Sequence, residues 1–171
     1  NCFGLSSKIS VGDAENLEFP DEVFDLVYSW GVIHHSPDTI KCVEEIWRVL
    51  VPGAEAKIMI YHKWSIMGIM LWIRYGLLIL RPWRSLDYIY ANYLESFGTK
   101  AYSKKEALKL FSKFNEIRID TVLTHGDLLT SDAGQRHKGL VLDIAKKIWP
   151  RRIIKFLFNR SGLFMLIHVK K

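Results

Sequence analysis

The sequence has few cysteines and no long uninterrupted apolar run. Its 171 residues include two cysteines, Cys2 and Cys42, which are too few for a disulfide framework and lack the spacing of a zinc motif. No leader with a basic start and an apolar core precedes the first apolar segment, so we expect no signal peptide and a reduced, cytoplasmic setting. Apolar residues make up 49% of the chain, enough for the core of one domain.

The longest apolar stretch, residues 64–80, is interrupted by Gly68, Arg74 and Gly76. A transmembrane helix needs about 20 apolar residues, so a membrane span is the least favoured of three interpretations. A helix lying on a membrane surface is the second interpretation. The favoured one is a helical lid that covers a binding pocket.

Positive charge is in excess and unevenly distributed. Lysine and arginine number 24 against 18 aspartates and glutamates, a formal net charge of +6, and the excess lies in the last third of the chain. It favours an anionic partner: nucleic acid, a membrane surface or an acidic substrate. Residues 144–160 interleave basic and apolar side chains, which predicts either a basic amphipathic surface or a solvated helix face packed on the lid. The basic residues of this stretch are Lys146, Lys147, Arg151, Arg152, Lys155 and Arg160.

Five short segments predict strands because they are rich in β-branched and aromatic residues. They are residues 8–11, 24–30, 56–61, 116–124 and 163–169. The second, FDLVYSW, is apolar enough to be buried on both faces, as parallel strands are. The fourth alternates isoleucine with charged residues, which is typical of a strand with one wetter side.

Helix signals lie between the predicted strands. Ser36 is expected to cap a helix that has Pro37 at its first position and ends at Pro52 and Gly53. Ser103, followed three residues later by a glutamate, predicts a second helix through a capping box. Residues 85–97 are rich in aromatic side chains and predict a third helix. Residues 140–158 predict a basic helix that is interrupted at Pro150.

Several short motifs occur in a recognisable order in the first third of the chain. They are residues 12–15 (GDAE), 19–20 (FP), 24–27 (FDLV), 32–35 (VIHH) and 48–53 (RVLVPG). Together they resemble the post-I motifs of class I S-adenosylmethionine-dependent methyltransferases, in the small-molecule branch that includes ubiquinone and sterol methyltransferases. The resemblance implies an α/β, Rossmann-like sheet of strand order 3-2-1-4-5-7-6 and S-adenosylmethionine as cofactor.

The resemblance also implies roles for particular residues. The carboxylate of Asp13 would accept a hydrogen bond from the adenine amino group, and the Ala14 amide would reach a ring nitrogen. Residues 29–31 would lie beside the methionine part of the cofactor, at the end of the fourth strand of the family fold. The cofactor-binding residues implied are Asp13, Ala14, Glu15, Ser29, Trp30, Gly31 and His35.

A catalytic residue cannot be assigned from the sequence, because methyl transfer needs little beyond in-line placement of a nucleophile and the methyl group. The candidates near the transferred methyl group are His34, His35, Tyr61 and His62. No metal site is expected, since no acid or cysteine stands at metal-ligand spacing from the histidine pair.

Two features of the family are absent from the sequence: the glycine-rich loop after the first strand and the acid that ends the second. We therefore expect a methyltransferase sheet that lacks its first two strands and a chain that by itself binds cofactor weakly or not at all. In such a sheet segment 24–30 would expose an apolar edge. Segment 8–11 would be poorly anchored or would pair with segment 24–30.

The expected organisation has three parts. Residues 1–61 would be the C-terminal part of the cofactor-binding core, and residues 62–100 a helical lid or substrate cap. Residues 101–171 would complete the core with a last helix and a β-hairpin, and would carry a basic helical insertion at about 126–161.

The function that we expect is methyl transfer to a small, lipophilic acceptor, with peripheral membrane contact through residues 64–80 and 144–160. A nucleic-acid methyltransferase is less favoured, because residues 29–32 (SWGV) stand where amino-methylating enzymes of that class carry Asn/Asp-Pro-Pro-aromatic. The alternative from another class is a catalytically inactive methyltransferase-fold module that binds a membrane surface or a protein partner. The sequence does not determine the oligomeric state.

Overall fold

The computed structural model describes residue 4, residues 6–130, residue 143 and residues 146–171. Four strands and five α-helices lie in these ranges. They are β1 (Phe24–Trp30), α1 (Thr39–Val49), β2 (Leu50–Tyr61), α2 (Ile66–Trp72), α3 (Leu86–Ile89), α4 (Lys104–Leu110), β3 (Glu116–Val122), α5 (Arg151–Leu157) and β4 (Phe164–Lys170). A 3₁₀ turn (Ile33–His35) precedes α1, and π-helical turns continue α2 and α3 over Ile73–Leu77 and Tyr90–Leu94.

The four strands form one mixed sheet in the order β1-β2-β4-β3. Strand β1 runs parallel to β2, whereas β4 is antiparallel to both β2 and β3. The predicted α/β class is confirmed, and the order agrees with that of the last four strands of the family sheet. Helix α1 connects β1 to β2, and these two strands are parallel, as is typical of a β-α-β unit.

The core lies on one face of the sheet. Ala56 pairs with Val27 on one side and Val169 on the other, and Ile58 pairs with Ile167 in the next layer of the same face. Helices α1 and α4 cover this face with apolar side chains spaced at helical intervals. Their buried members are Cys42, Val43, Ile46, Val49 and Ala107, joined by Phe111 and Phe114 just after α4.

The predicted strand at residues 8–11 is wrong. These residues form no regular structure, and Ile9 and Val11 are 91% and 101% exposed. Pairing with β1 is therefore also wrong, whereas poor anchoring is confirmed. A β-branched segment becomes a strand only when a neighbour satisfies its backbone N–H and C=O groups, and within the described ranges β1 pairs with β2 alone.

The predicted limits of the first helix need correction at both ends. Asp38, not Ser36, is the N-cap, and its carboxylate accepts from the backbone N–H groups of Ile40 and Lys41. The helix ends at Val49 and runs directly into β2, so Pro52 lies inside the strand. An irregularity in the β1–β2 register accommodates it, because Phe24 pairs with Leu50 and Leu26 with Glu55.

The second face of the sheet is covered over only part of its area. Strand β1 lies at the edge of the described sheet, and its Leu26, Tyr28 and Trp30 are 51%, 63% and 46% exposed. The predicted exposed apolar edge is confirmed, whereas the predicted burial of this strand on both faces is wrong, because no described element covers these side chains. Towards the C-terminal end of β2, Met59 and Tyr61 are buried beneath the helical segment that follows them. This end of the sheet is where the predicted site residues lie.

The predicted helices of the second half are largely present. The capping box of Ser103 and Glu106 is confirmed, and Ser85 caps α3. Residues 64–80 form α2 and its π-helical turn, and no helix in the described ranges is long and apolar enough to cross a bilayer. Much of the predicted helix at 140–158 lies outside the described residues, and α5 begins directly after Pro150.

Asp127 joins four segments that are distant in the sequence. Its fully buried carboxylate accepts hydrogen bonds from the backbone N–H groups of Met67, Thr124 and Leu163, and from the Thr124 hydroxyl. Its carbonyl oxygen accepts from the Trp149 indole. Backbone amides rather than a cation therefore balance this carboxylate.

Replacing Asp127 with Asn should lower the free energy of unfolding by about 2–3 kcal/mol, because an NH₂ group would face N–H donors and leave them unpaired. Equilibrium urea unfolding monitored by circular dichroism measures the change. Asp120→Asn is the matched control, since Asp120 is exposed and pairs only with exposed Arg118 among the described contacts. Its effect should stay within about 0.5 kcal/mol. Equal effects of the two substitutions would contradict the role assigned to Asp127.

Candidate active site

Three of the predicted catalytic candidates meet at the C-terminal ends of β1 and β2. The His34 ring centroid lies 4.2 Å from that of His35 and 4.2 Å from that of Tyr61, and the His35 and Tyr61 centroids are 6.3 Å apart. The histidines come from the 3₁₀ turn after β1, and Tyr61 is the last residue of β2. Because parallel strands end at the same edge of a sheet, the two segments deliver their side chains to one place.

His34 is fully buried, and neither ring nitrogen has a hydrogen-bond partner. Burial, together with the charge of the neighbouring His35, lowers the pKa of His34 to about 3. Desolvation penalises the charged imidazolium and leaves the ring neutral at physiological pH. His34 is therefore a weak base in this arrangement.

His35 is held by residues 95–99, near the end of the predicted lid (residues 62–100). Its Nδ1 lies 3.0 Å from Ser96 Oγ and 3.2 Å from Thr99 Oγ1, and its Nε2 lies 3.4 Å from Glu95 Oε2. The Tyr61 hydroxyl donates to the same Glu95 oxygen at 2.8 Å. Burial, together with this hydrogen bond to a carboxylate, raises the pKa of Tyr61, so its hydroxyl stays protonated.

Lys100 fixes this returning segment against the histidine turn. Its backbone N–H donates to the His34 carbonyl at 3.0 Å, and its ammonium donates to the carbonyls of Ser36 and Pro37 at 2.9 and 2.6 Å. The sequence did not indicate Glu95, Ser96, Thr99 or Lys100 as site residues. They lie about sixty positions after the histidines, and no local sequence pattern predicts a contact over that distance.

The predicted adenine-binding loop docks on the start of α1. The carboxylate of Glu15 accepts from the Ser36 hydroxyl and from the Asp38 backbone N–H, the latter at 2.8 Å. Those two hydrogen bonds lower the pKa of Glu15. Asp13 is exposed, and its carboxylate accepts from the Glu15 backbone N–H at 2.9 Å. A carboxylate can accept about four hydrogen bonds, so Asp13 keeps capacity for a ligand amino group.

The end of β1 turns at Gly31 in a conformation that favours glycine. Gly31 has a φ of +71° and donates its N–H to the Met59 carbonyl, a conformation that a side chain would strain. Trp30 is partly exposed and stacks on Tyr28. The Ser29 hydroxyl is buried without a hydrogen-bond partner.

His62 directly follows Tyr61 in the chain, and its side chain is buried. Its backbone N–H donates to the Leu163 carbonyl, and it forms an isolated bridge with Tyr102. Burial lowers its pKa, and its Nδ1 has no partner. These contacts place His62 at the start of β4, where it supports the sheet end.

Tyr90 anchors the lid over the end of β2. Its side chain is fully buried, and its hydroxyl lies 2.7 Å from Ser65 Oγ and donates to the His62 carbonyl at 2.8 Å. Burial raises the pKa of Tyr90, so the hydroxyl remains a donor. Gly68 of α2 passes directly over this ring, because a Cβ built there would meet ring carbons at 2.8 and 2.9 Å.

Comparison with known proteins identifies the framework of this site. A model described as "Methyltransferase domain" matches residues 3–57, which contain the Asp13 loop, β1, the histidine turn and α1. Matching relatives are named as methyltransferases, and solved structures of the same architecture include S-adenosylmethionine-dependent methyltransferases. Residues 3–57 therefore match a methyltransferase domain, and the described residues share the fold of S-adenosylmethionine-dependent methyltransferases.

Three relatives share this methyltransferase segment. A probable tocopherol O-methyltransferase of Oryza sativa is 51% identical over 53 residues, 30% of this chain and 15% of the relative. Norajmaline N-methyltransferase of Rauvolfia serpentina is 45% identical over 60 residues, which are 34% of this chain and 20% of the relative. A probable tRNA methyltransferase 9B of Homo sapiens is 44% identical over 54 residues, which are 30% of this chain and 12% of the relative. The matches thus span a fifth or less of these relatives.

Two solved methyltransferase structures share the fold over nearly the whole chain. One, from Thermotoga maritima, matches with a TM-score of 0.56 at 21% identity. The match covers 94% of this chain and 62% of the Thermotoga maritima chain. Haemonchus contortus phosphoethanolamine N-methyltransferase 2, solved with phosphomonomethylethanolamine and S-adenosylhomocysteine, has a TM-score of 0.52 at 17% identity. It covers 93% of this chain and 36% of its own. These likenesses establish the fold.

Replacing Gly68 with Ala should loosen the lid, because the new methyl group overlaps the buried Tyr90 ring. We expect the free energy of unfolding to fall by about 1–3 kcal/mol, as overpacked cores do, measured by urea unfolding. Gly12→Ala is the control, since a Cβ at Gly12 meets nothing within 4 Å, and it should change stability by less than about 0.5 kcal/mol. A Gly68→Ala protein as stable as the unmodified one would show that Tyr90 does not fix the lid.

Proposed function

We propose that the protein containing this chain transfers a methyl group from S-adenosylmethionine to a small, lipophilic acceptor. The chain spans a fifth or less of its curated relatives by aligned length and 62% of the Thermotoga maritima structure, so this activity is proposed for the protein that contains it. The observation that carries the proposal is the co-location of the Asp13 loop, Gly31 and the histidine turn at one end of the sheet.

The cofactor side of the proposal rests on donor and acceptor groups that fit an adenine. Asp13 offers an exposed carboxylate, and Ala14 follows it in a loop held by the hydrogen bonds of Glu15. An amino group and a ring nitrogen require an acceptor and a donor side by side, which a carboxylate and the next backbone N–H supply. Gly31 permits close approach of the methionine part at the end of β1.

The acceptor side rests on the residues between the lid and the sheet. The matched segment recurs in relatives named for a tocopherol, an alkaloid-type amine and a tRNA, so it does not select the acceptor. Selection is left to the lid, and the cluster beneath it is apolar and aromatic, which favours a lipophilic acceptor over a polynucleotide. Its members are Met59, Tyr61, Tyr90, Ala101 and Leu163, with Met67, Leu86, Leu94, Phe164 and Leu166 packed against them.

The chemistry assigned to these residues is placement rather than proton abstraction. Bound S-adenosylmethionine supplies a methyl group on a positively charged sulfur. His34 is too weak a base and Tyr61 too weak an acid to exchange a proton readily near neutral pH. Their contribution is to exclude water and to orient the acceptor in line with the methyl group, which can account for much of the rate.

Binding of S-adenosylhomocysteine to the full-length protein tests the cofactor side. Isothermal titration calorimetry should show one site, and Asp13→Ala should weaken binding at least about tenfold because a charged hydrogen-bond acceptor to adenine is lost. Asp25→Ala, a change at an exposed aspartate of β1, should leave the affinity within twofold. No binding by the full-length protein, or unchanged affinity in Asp13→Ala, would contradict the proposal and favour an inactive binding module.

A peripheral membrane contact through the lid is part of the same proposal. Leu78, Leu80 and Trp83 expose 65%, 82% and 76% of their surface, and Arg74 and Arg81 lie in the same stretch. In α5, Phe156 is 82% exposed beside Lys155. Exposed aromatic and aliphatic side chains with adjacent cations suit an interface that contains anionic lipid.

Co-sedimentation with vesicles tests this contact. We expect the protein to pellet with vesicles containing anionic lipid, and the double substitution Leu80→Glu and Trp83→Glu to reduce the bound fraction at least threefold. Ile9→Glu, a change of an equally exposed apolar residue outside the lid, should leave binding unaltered. Equal sedimentation of both variants, or no dependence on anionic lipid, would remove the case for membrane contact.

A further inference from the structure

His34, His35 and Glu95 bring three metal-ligating side chains together, an arrangement that orienting a methyl acceptor does not require. Each residue offers one metal-ligating atom, and these three atoms lie within 4.8 Å of one another. His34 and His35 come from the turn after β1, whereas Glu95 comes from the end of the lid. We propose that these three residues bind a divalent transition-metal ion of the zinc type, and that the ion links the lid to the core.

One separation in the cluster already has the value that a metal requires. His35 Nε2 and Glu95 Oε2 lie 3.4 Å apart. Two ligand atoms that are each about 2.0–2.1 Å from a tetrahedral zinc ion are about 3.3–3.4 Å from each other. The side chain of Glu95 is 57% exposed, so its rotation can close the wider separations without rearranging the core.

His34 supplies an independent observation that points to a ligand. Its side chain has an exposed fraction of 0%, and both ring nitrogens lack a partner. Leaving a buried polar group without a partner is unfavourable, and buried imidazoles are normally hydrogen-bonded or coordinated. A metal ion on one ring nitrogen would offset this cost.

The residues around the cluster are placed as supporting contacts of a metal site. Metal-bound histidines usually donate their second ring N–H to an oxygen, which fixes the tautomer and the ring orientation. With its Nε2 towards Glu95, His35 has Nδ1 at 3.0 Å from Ser96 Oγ and 3.2 Å from Thr99 Oγ1. The Tyr61 hydroxyl orients the Glu95 carboxylate in the same way.

The ligand set indicates which ion fits. Two imidazoles and one carboxylate suit zinc and neighbouring divalent transition metals, whereas magnesium and calcium prefer oxygen ligands throughout. Three protein ligands leave a fourth position for water or another ligand. The sequence predicted no metal here, because Glu95 lies sixty residues after the histidines and only the fold brings it near.

Zinc titration of the untagged, chelator-treated 171-residue chain tests the site directly. Isothermal titration calorimetry should show one Zn²⁺ bound per chain, and Co²⁺ should give the visible absorption of a tetrahedral site. Glu95→Gln and His35→Gln should each weaken Zn²⁺ binding at least tenfold, since each removes one of three ligands. The side-chain amide oxygen introduced by Glu95→Gln can still accept a hydrogen bond from Tyr61, so circular dichroism should remain unchanged.

A matched control is a second close histidine–carboxylate pair among the described residues, His168 and Glu55, whose side chains lie 2.9 Å apart on β4 and β2. His168→Gln should leave the zinc affinity within twofold. Absence of stoichiometric zinc binding, unchanged affinity in Glu95→Gln, or an equal loss in His168→Gln would overturn the proposal. Because the readout is metal binding, its outcome is independent of whether the full-length protein transfers a methyl group.

Discussion

Strand β2 is the element on which the other parts of the structure depend. It pairs in parallel with β1 on one side and antiparallel with β4 on the other. Helix α1 runs directly into its first residue. Its inner face carries Ala56, Ile58 and Ile60, which are at most 2% exposed. Because side chains alternate along a strand, the same residues that build the core also fix where Tyr61 emerges. The site is therefore a consequence of the β2 register.

The second constraint is the return of the lid onto the turn after β1. Lys100 holds three carbonyl groups of residues 34–37, and Ser96 and Thr99 hold His35. These bonds join residues about sixty positions apart, so the lid and the histidine turn cannot be positioned separately. Any movement of the lid must break contacts to His35 or to the carbonyls that Lys100 binds. This coupling is the physical basis for proposing that the lid segment positions the acceptor.

The sequence predicted the elements better than their limits. Periodicity and composition located β1, β3, β4 and α4, and the resemblance supplied the strand order. The capping box at Ser103 was found because its two hydrogen bonds are local. The prediction of Ser36 as the helix N-cap is wrong because its hydroxyl donates to Glu15, twenty-one residues earlier. Capping patterns consider only neighbouring residues and therefore cannot predict such a partner. Pro52 did not end a helix because an irregular register let it lie within β2.

The candidate site was only half visible in the sequence for a similar reason. Asp13, His34 and His35 stand in motifs, and the structure places the turn of the two histidines against Tyr61 as expected of neighbouring strand ends. Glu95 and Lys100 stand in no motif, since their roles arise from one tertiary contact. Residues 8–11 were read as a strand from their side chains alone, although a strand also requires a neighbouring backbone.

The central claim is that the adenine of S-adenosylmethionine binds at the Asp13 loop, beside the end of β1. A crystal structure of the full-length protein with S-adenosylhomocysteine tests it most directly. The account predicts the adenine amino nitrogen at about 2.7–3.2 Å from the Asp13 carboxylate, with the homocysteine part beside residues 29–31. Cofactor density elsewhere on the protein, or adenine that makes no contact with Asp13, would contradict the account.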